Sequence, residues 1–296
     1  MRRSATLAMF EALCAVMVWG VSFVATKVAL QYVSPITVVW LRFAMGVLIL
    51  GIVVVGRKQF ALPAAKEAPY LALLGFIGIT FHQWLQSTGL VTAQATTTAW
   101  IVATTPIFMA LLGWLILREK LLGKQILGIS LAAVGVVLVV TRGDISALLA
   151  GKIGTVGDVL VLISAPNWAV FSALSRRGLQ RYPATWMMFY VMLFGWLFTS
   201  VHFFSGSGMA EISSLPWDGW LGVGFLGIFC SGLAYIFWFD ALQVLPVAQT
   251  GAFIYLEPLV TVMVAALLIN EPLLWSSLVG GGIILMGVWL VQIRKT

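Results

Sequence analysis

Glu257 is the only acidic residue near the middle of any long apolar stretch of this 296-residue chain, and Pro258 follows it directly. A carboxylate at membrane depth is costly unless it meets a partner, a ligand or water. The adjoining proline frees backbone groups that can bind a ligand or ion where they line water. Phe253 and Gln249 stand four and eight residues earlier, on the same helical face. His82 and Gln86 form a second set one turn apart, sharing a stripe with Gly75 and Ile79; an imidazole there can titrate near neutral pH or donate to a carboxylate. Thr97, Trp100 and Thr104 share a face of a third stretch, and Thr96, Thr97 and Thr98 offer hydroxyls to a ligand or to the preceding turn. The series Trp19, Ser22 and Thr26 recurs as Trp168, Phe171 and Ser175, with the amide of Asn167 beside Pro166, and Tyr235 and Trp238 lie one turn apart. Indole and phenol rings combine flat apolar faces with polar donors, so these residues suit recognition of a small molecule with one apolar and one polar end. Each also has a structural alternative: a paired or capping role for Glu257, helix packing for the threonines and rings.

The elements that must position these groups are membrane spans. The chain is 61% hydrophobic and 9% charged with a mean hydropathy of +1.05, whereas soluble domains carry about 25% charged residues. That excess over the whole length excludes a soluble enzyme or nucleic-acid-binding domain and makes lipid the solvent. Loops divide the sequence into ten apolar segments, here spans 1 to 10, at residues 7–29, 35–56, 69–89, 95–117, 121–141, 155–175, 184–205, 217–240, 247–269 and 273–293. Arg2 and Arg3 precede the first, which runs on to Lys27 without a convincing cleavage site and is expected to be retained. Pro35, Pro183 and Pro216 stand at span starts, whereas Pro106, Pro166 and Pro258 fall inside spans and are expected to act as hinges.

Cys14 and Cys230 both lie in apolar stretches, so neither a disulfide nor a metal site is expected. The sequence has no HExxH, GxSxG or P-loop signature and no loop long enough for an ATPase domain. No cofactor is expected, and energy must come from gradients. Of the 17 lysines and arginines, 13 fall on one side of a ten-span arrangement, which by the positive-inside rule places both termini in the cytoplasm. Lys27 and Arg176 are expected to snorkel to opposite interfaces, and Arg42, inside span 2, to pair or snorkel.

The sequence also repeats itself. Thr105-Pro106 through Glu119 aligns with Glu257-Pro258 through Glu271 at an offset of 152, followed by Gly128 and Gly135 on Gly280 and Gly287. Gly75-Phe-Ile-Gly-Ile79 matches Gly224-Phe-Leu-Gly-Ile228 at an offset of 149, which also puts Trp19 on Trp168 and Lys27 on Arg176. The repeats, residues 7–141 and 154–293, hold five spans each, and five is odd, so the halves must cross in opposite senses. The charges agree: Arg118, Lys120 and Lys124 follow span 4, while the loop after span 9 has no lysine or arginine. An inverted-topology repeat is a recurrent plan of secondary transporters. Glu119 and Glu271, at the ends of spans 4 and 9, read as helix-terminal caps or structural pairs.

The proline-to-glutamate spacing of 13 residues in both halves, with glycines in the next span and ten spans in all, resembles the EamA branch of the drug/metabolite transporter superfamily. Among its members the abundance of Trp and Phe makes the chain most similar to the bacterial aromatic amino-acid exporters. The resemblance implies an all-α polytopic membrane protein, with ten transmembrane helices in two inverted five-helix repeats around a central cavity lined mainly by spans 1, 3, 4, 6, 8 and 9. It also implies a secondary transporter exporting amino acids with aromatic or bulky apolar side chains across the inner membrane by alternating access. In that picture Trp19, Trp100, Trp168, Tyr235 and Trp238, with Phe171 and Phe253, hold the side chain. His82, Gln86, Asn167, Gln249 and Glu257, with Thr97, meet the polar groups. The partners expected are a small-molecule substrate and membrane lipid, no nucleic acid, and a monomeric or homodimeric state. A carrier for sugars, nucleosides or drugs would use the same cavity by stacking. A non-transporting receptor or subunit would leave the inverted repeat and its mid-span polar residues unexplained.

Overall fold

A computed structural model describes residues 4–117, 123–144, 146, 154–245 and 253–292 of the chain. Among the described residues all regular elements are helical. Span 1 is Ala5–Ala29, opened by Ser4, whose hydroxyl accepts from the Leu7 amide at 3.1 Å. Span 2 is Pro35–Gly56, with proline in its first turn. Span 6 is Val156–Leu179, begun by a reciprocal cap between Thr155 and Asp158. Span 7 is Ala184–Ser205, span 5 includes Gly123–Val140, and span 10 includes Trp275–Gln292. A short helix that hydropathy does not announce, Gly208–Ser213, lies between spans 7 and 8. Among the described residues seven helices are long and apolar enough to cross a membrane, and Ile254–Leu268 and Trp275–Val291 are shorter apolar helices.

The remaining spans are interrupted. Span 3 runs as α-helix Ala68–Gly75, π-helix Phe76–Phe81 and α-helix His82–Thr92. Its repeat mate, span 8, runs as Trp217–Phe225, π-helix Leu226–Leu233 and Ala234–Val244. Span 4 breaks after Ala95–Val102 and restarts as Thr105–Leu117, one residue before Pro106. In span 9 a 3₁₀ turn at Ile254–Leu256 precedes Glu257–Leu268, with Pro258 in its first turn. Pro166 departs from the expectation: it sits inside the unbroken helix Val156–Leu179. A proline removes one backbone donor but can be carried as a kink where neighbouring helices support it.

The two halves meet as an inverted pair. A Cβ on Gly128 would lie 2.5 Å from the Gly287 carbonyl oxygen, and one on Gly135 would lie 2.7 Å from that of Gly280. Since Gly280 and Gly287 are the repeat mates of Gly128 and Gly135, the two contacts are one contact seen twice, as a two-fold relation between the halves requires. The close approach of spans 5 and 10 depends on the missing Cβ atoms. Span 1 packs on spans 8 and 9, and its mate, span 6, packs on spans 3 and 4. Large apolar side chains such as Leu48, Ile52, Val201 and Leu267 are exposed on the outside, where lipid is their solvent.

The loops repeat the relation on opposite faces. Glu67, after span 2, accepts from Tyr182 Oη at 2.7 Å and from the Ala64 amide at 2.9 Å. Glu211, after span 7, accepts from the Ser34 amide and hydroxyl, both at 2.8 Å, and from Ser207 Oγ. The Tyr182 hydrogen bond holds the Glu67 carboxyl below its ordinary range. At Glu211 partial burial pushes upward, and the hydrogen bonds from Ser207, Thr37 and Ser34 outweigh it, leaving this carboxyl lowered too.

Candidate functional site

Trp19 of span 1 stands at the centre of one aromatic group. Its ring lies 5.8 Å from Tyr235, edge to face, and 5.3 Å from Trp238, and its Nε1 donates to the Cys230 carbonyl at 3.1 Å. That carbonyl belongs to the π-helix of span 8, and Phe253 packs on the same core. Span 9 lies directly against this group: Thr261 Oγ1 donates to the carbonyls of Gly20 and Glu257, at 2.7 and 3.0 Å. A Cβ on Gly20 would lie 2.8 Å from the Glu257 carbonyl oxygen. The Glu257 side chain is 9% exposed and has no hydrogen-bond or ion-pair partner among the described residues, so neither the paired nor the capping alternative describes it.

The matching group lies across the two-fold. Trp168 of span 6 stands 4.7 Å from His82 and 4.9 Å from Phe171. Asn167 Nδ2 donates to the Ile77 carbonyl at 2.9 Å, in the π-helix of span 3. Phe171 covers Gly78, whose Cβ would fall 2.4 Å from the ring. His82 is buried with Nδ1 unpartnered. Gln86, one turn further on, is half-buried, has no side-chain hydrogen bond among the described residues and stands at the repeat position of Tyr235.

One expected contact sits elsewhere. Trp100 is 2% exposed, packs in the cluster between spans 4, 5 and 10, and lies where a Cβ on Gly281 would fall 2.3 Å from its ring. It fills a helix contact and not the centre between the halves, because Gly281 leaves an indole-sized gap there. Thr97 is buried in the same helix, which packs on spans 1, 6 and 9. Gln249 and Glu119 lie outside the described residues.

Sequence reading passed over several polar contacts. Arg42 neither snorkels nor finds a carboxylate: it is 5% exposed, with Nε donating to Ser231 Oγ at 3.0 Å and Nη1 to Gln83 Oε1 at 3.1 Å. Gln83 is next to His82, and Ser231 is the repeat mate of His82, a signal present in the offset of 149. At the face where span 1 begins, Arg57 grips Asp240 through two hydrogen bonds, of 2.8 and 2.6 Å, and Thr185 at 2.7 Å, tying spans 2, 7 and 8. At the opposite face Glu271 accepts from the Ala95 and Thr96 amides at 3.0 and 2.9 Å, capping span 4 as a helix-terminal glutamate should. Lys27 Nζ donates to the Ala93 carbonyl at 2.6 Å beside it. A cavity of about 400 Å³ opens at this face, lined by Lys27, Gln31, Gln94, Asn270 and Glu271 among others.

A helical chain in two inverted halves, with its buried polar groups gathered where their first and third spans cross, has the plan of a carrier. The model of the EamA-like transporter family matches it twice, over residues 6–141 and 155–293. The chain belongs to the EamA-like transporter family. An uncharacterized transporter of Archaeoglobus fulgidus is 27% identical over 94% of this chain and 95% of its own length. One of Bacillus subtilis is 28% identical over 91% and 88%. A protein named as a probable terminal-alkyne amino-acid exporter, from Streptantibioticus cattleyicolor, is 27% identical over 94% and 91%. A solved crystal structure shares the fold at a TM-score of 0.68 and 19% identity, covering 97% of this chain and 96% of its own. This EamA-like protein is a multi-pass membrane transporter.

Proposed function

We propose that this EamA-like transporter exports amino acids with aromatic or bulky apolar side chains across the inner membrane by alternating access, with both termini cytoplasmic. The observation that carries the reading is the Trp19, Tyr235 and Trp238 ring group lying against span 9 at Glu257, a buried carboxylate without a partner among the described residues. Rings in edge and tilted contact offer a flat apolar side chain a place to insert. An unpaired carboxylate beside them suits an ammonium group, which would relieve its burial without a water shell. Trp168, His82 and Phe171 form the corresponding wall in the other half. The breaks before Pro106 and Pro258 supply bending points in the two spans that cross at the centre, and Pro166 has no such break. The amino-acid exporter among the relatives supports the substrate class.

Reconstituted liposomes loaded with labelled phenylalanine test this. Efflux that saturates and is inhibited by tryptophan is the expected result. Flux of a sugar, a nucleoside or a cationic dye with none for any amino acid overturns it. Accessibility labelling of a cysteine introduced at Ser4 tests the orientation.

A further inference from the structure

We infer that Arg42, Gln83 and Ser231 form an anion subsite that binds the carboxylate of the transported molecule, an inference that rests on the amino-acid reading above. Arg42 is the eighth residue of the helix Pro35–Gly56, which at 1.5 Å per residue sets it about 10 Å along the span from its start. A guanidinium at that depth is costly unless an opposite charge meets it. Among the described residues none does. The groups it touches are neutral, a glutamine oxygen and a serine hydroxyl, and its own ring neighbour is Phe43, 5.1 Å away. A guanidinium has five N–H donors, and the hydrogen bonds to Ser231 and Gln83 engage two of them. The remainder form the edge that a carboxylate fits, with both oxygens in one plane.

Position favours a ligand over a structural anion. Arg42 joins span 2 to spans 3 and 8 at their wide turns: Ser231 lies in the π-helix Leu226–Leu233, and Gln83 follows the π-helix Phe76–Phe81 by two residues. Wide turns of this kind are frequent at functional sites. Ser231, which accepts from Arg42 Nε, follows Cys230, whose carbonyl accepts from Trp19, and Gly20, next to Trp19, packs against the Glu257 carbonyl, so contiguous contacts run from Arg42 through span 8 and Trp19 to the residue Glu257. A cation and an anion at the two ends of these contacts, with a ring cluster between them, match an amino-acid zwitterion: carboxylate on Arg42, ammonium on Glu257, side chain against Trp19, Tyr235 and Trp238. Span 2 is not among the spans that the family resemblance assigns to the cavity, so the subsite adds a wall to it.

Binding of four probes to the purified full chain decides the matter: phenylalanine, phenylalaninamide, 3-phenylpropionate and 3-phenylpropionamide. Wild type should favour each carboxylate over its amide by about tenfold to a hundredfold, the range of a charge-assisted hydrogen bond. In Arg42→Gln the preference should fall below about twofold. Gln83→Glu, nearly isosteric, should do the same by a different route, giving Arg42 an internal carboxylate that competes with the ligand while raising the unfolding temperature. It keeps the test open if Arg42→Gln does not fold. Absence of carboxylate preference in wild type, or its persistence in either folded variant, overturns the subsite. Carboxylate preference in the phenylpropionate pair without binding or flux of phenylalanine would sustain the subsite and refute the amino-acid reading. Phenylalanine flux with preference retained in Arg42→Gln would do the opposite.

Discussion

The crossing of spans 1 and 8 and the crossing of spans 6 and 3 occupy matching places in the two repeats, and they share a backbone plan but not a chemistry. In both, the third span of one half widens into a π-helix, and a side-chain N–H from the first span of the other half takes up one of its carbonyls: Trp19 to Cys230, Asn167 to Ile77. In both, a tryptophan at the same repeat position leads a ring group. The charged residues break the pattern. Glu257 has Thr105 as its mate, whose hydroxyl donates to the Val102 carbonyl at 2.7 Å and needs nothing further. Arg42 has Val191. In the alternating access proposed above, a two-fold framework would let each half take either role, but a substrate with distinct ends would need a site without that symmetry. The backbone therefore keeps the repeat, and the ionisable side chains abandon it.

The comparison is broken most severely at its charged position. Glu257→Gln should lower amino-acid efflux at least about tenfold, the loss of one charged contact, whereas Thr105→Val should change it less than about twofold. Equal effects, read as initial rates in liposomes, would show that the two positions serve the same structural end. Next come the paired glycines of the wide turns. Gly78→Ala drives a methyl into the Phe171 ring, and Gly227→Ala drives one against Met45, 2.5 Å from its Sδ and 2.7 Å from the Cβ that its backbone holds in place; each should cost about 1 to 3 kcal/mol. Denaturant unfolding in detergent compares the two, and a cost for one without the other would show that the two wide turns are not equally closely packed.

A smaller effect tests the shared part. Trp19→Phe and Asn167→Leu each remove the donor to a π-helix carbonyl, and each should destabilise by about 1 kcal/mol, the two agreeing if the junctions are equivalent in the backbone. The smallest concerns the loops. Glu211 titrates below its ordinary range, so its contribution is present above the unfolded carboxylate range and is lost as pH falls through the folded value. Being only partly buried, it should contribute less than about 1 kcal/mol, seen as an acid-side fall in unfolding temperature that Glu211→Gln removes.

The inward placement of the candidate residues was legible in the residues alone, whereas their binding of a substrate remains the proposal made above. Trp19, Trp168, Tyr235, Trp238, His82 and Glu257 are aromatic or ionisable groups at depths where lipid tolerates few of them, so type and position together point inward, and the structure packs them between helices. Trp100 misled because an indole is equally suited to a ligand wall and to a helix gap, and Gly281, 181 residues later, decides between them. Pro166 misled because a proline marks a missing donor, not a broken helix. Arg42 could be read as paired or snorkelling, since nothing nearby in the chain reveals Gln83 and Ser231.

Composition, span count and the offset repeat follow from the sequence by itself: hydropathy is summed over local windows, and five spans per half fix opposite senses whatever the packing. The reciprocal glycine contacts of spans 5 and 10, the π-helical turns of spans 3 and 8, and the gathering of Arg42, Gln83 and Ser231 belong to the tertiary structure. Periodicity cannot tell a wide turn from an ordinary one, because what supports it is a donor on another helix. Burial of a charge is likewise set by which neighbours surround it, and those neighbours come from spans up to 189 residues apart, as between Arg42 and Ser231.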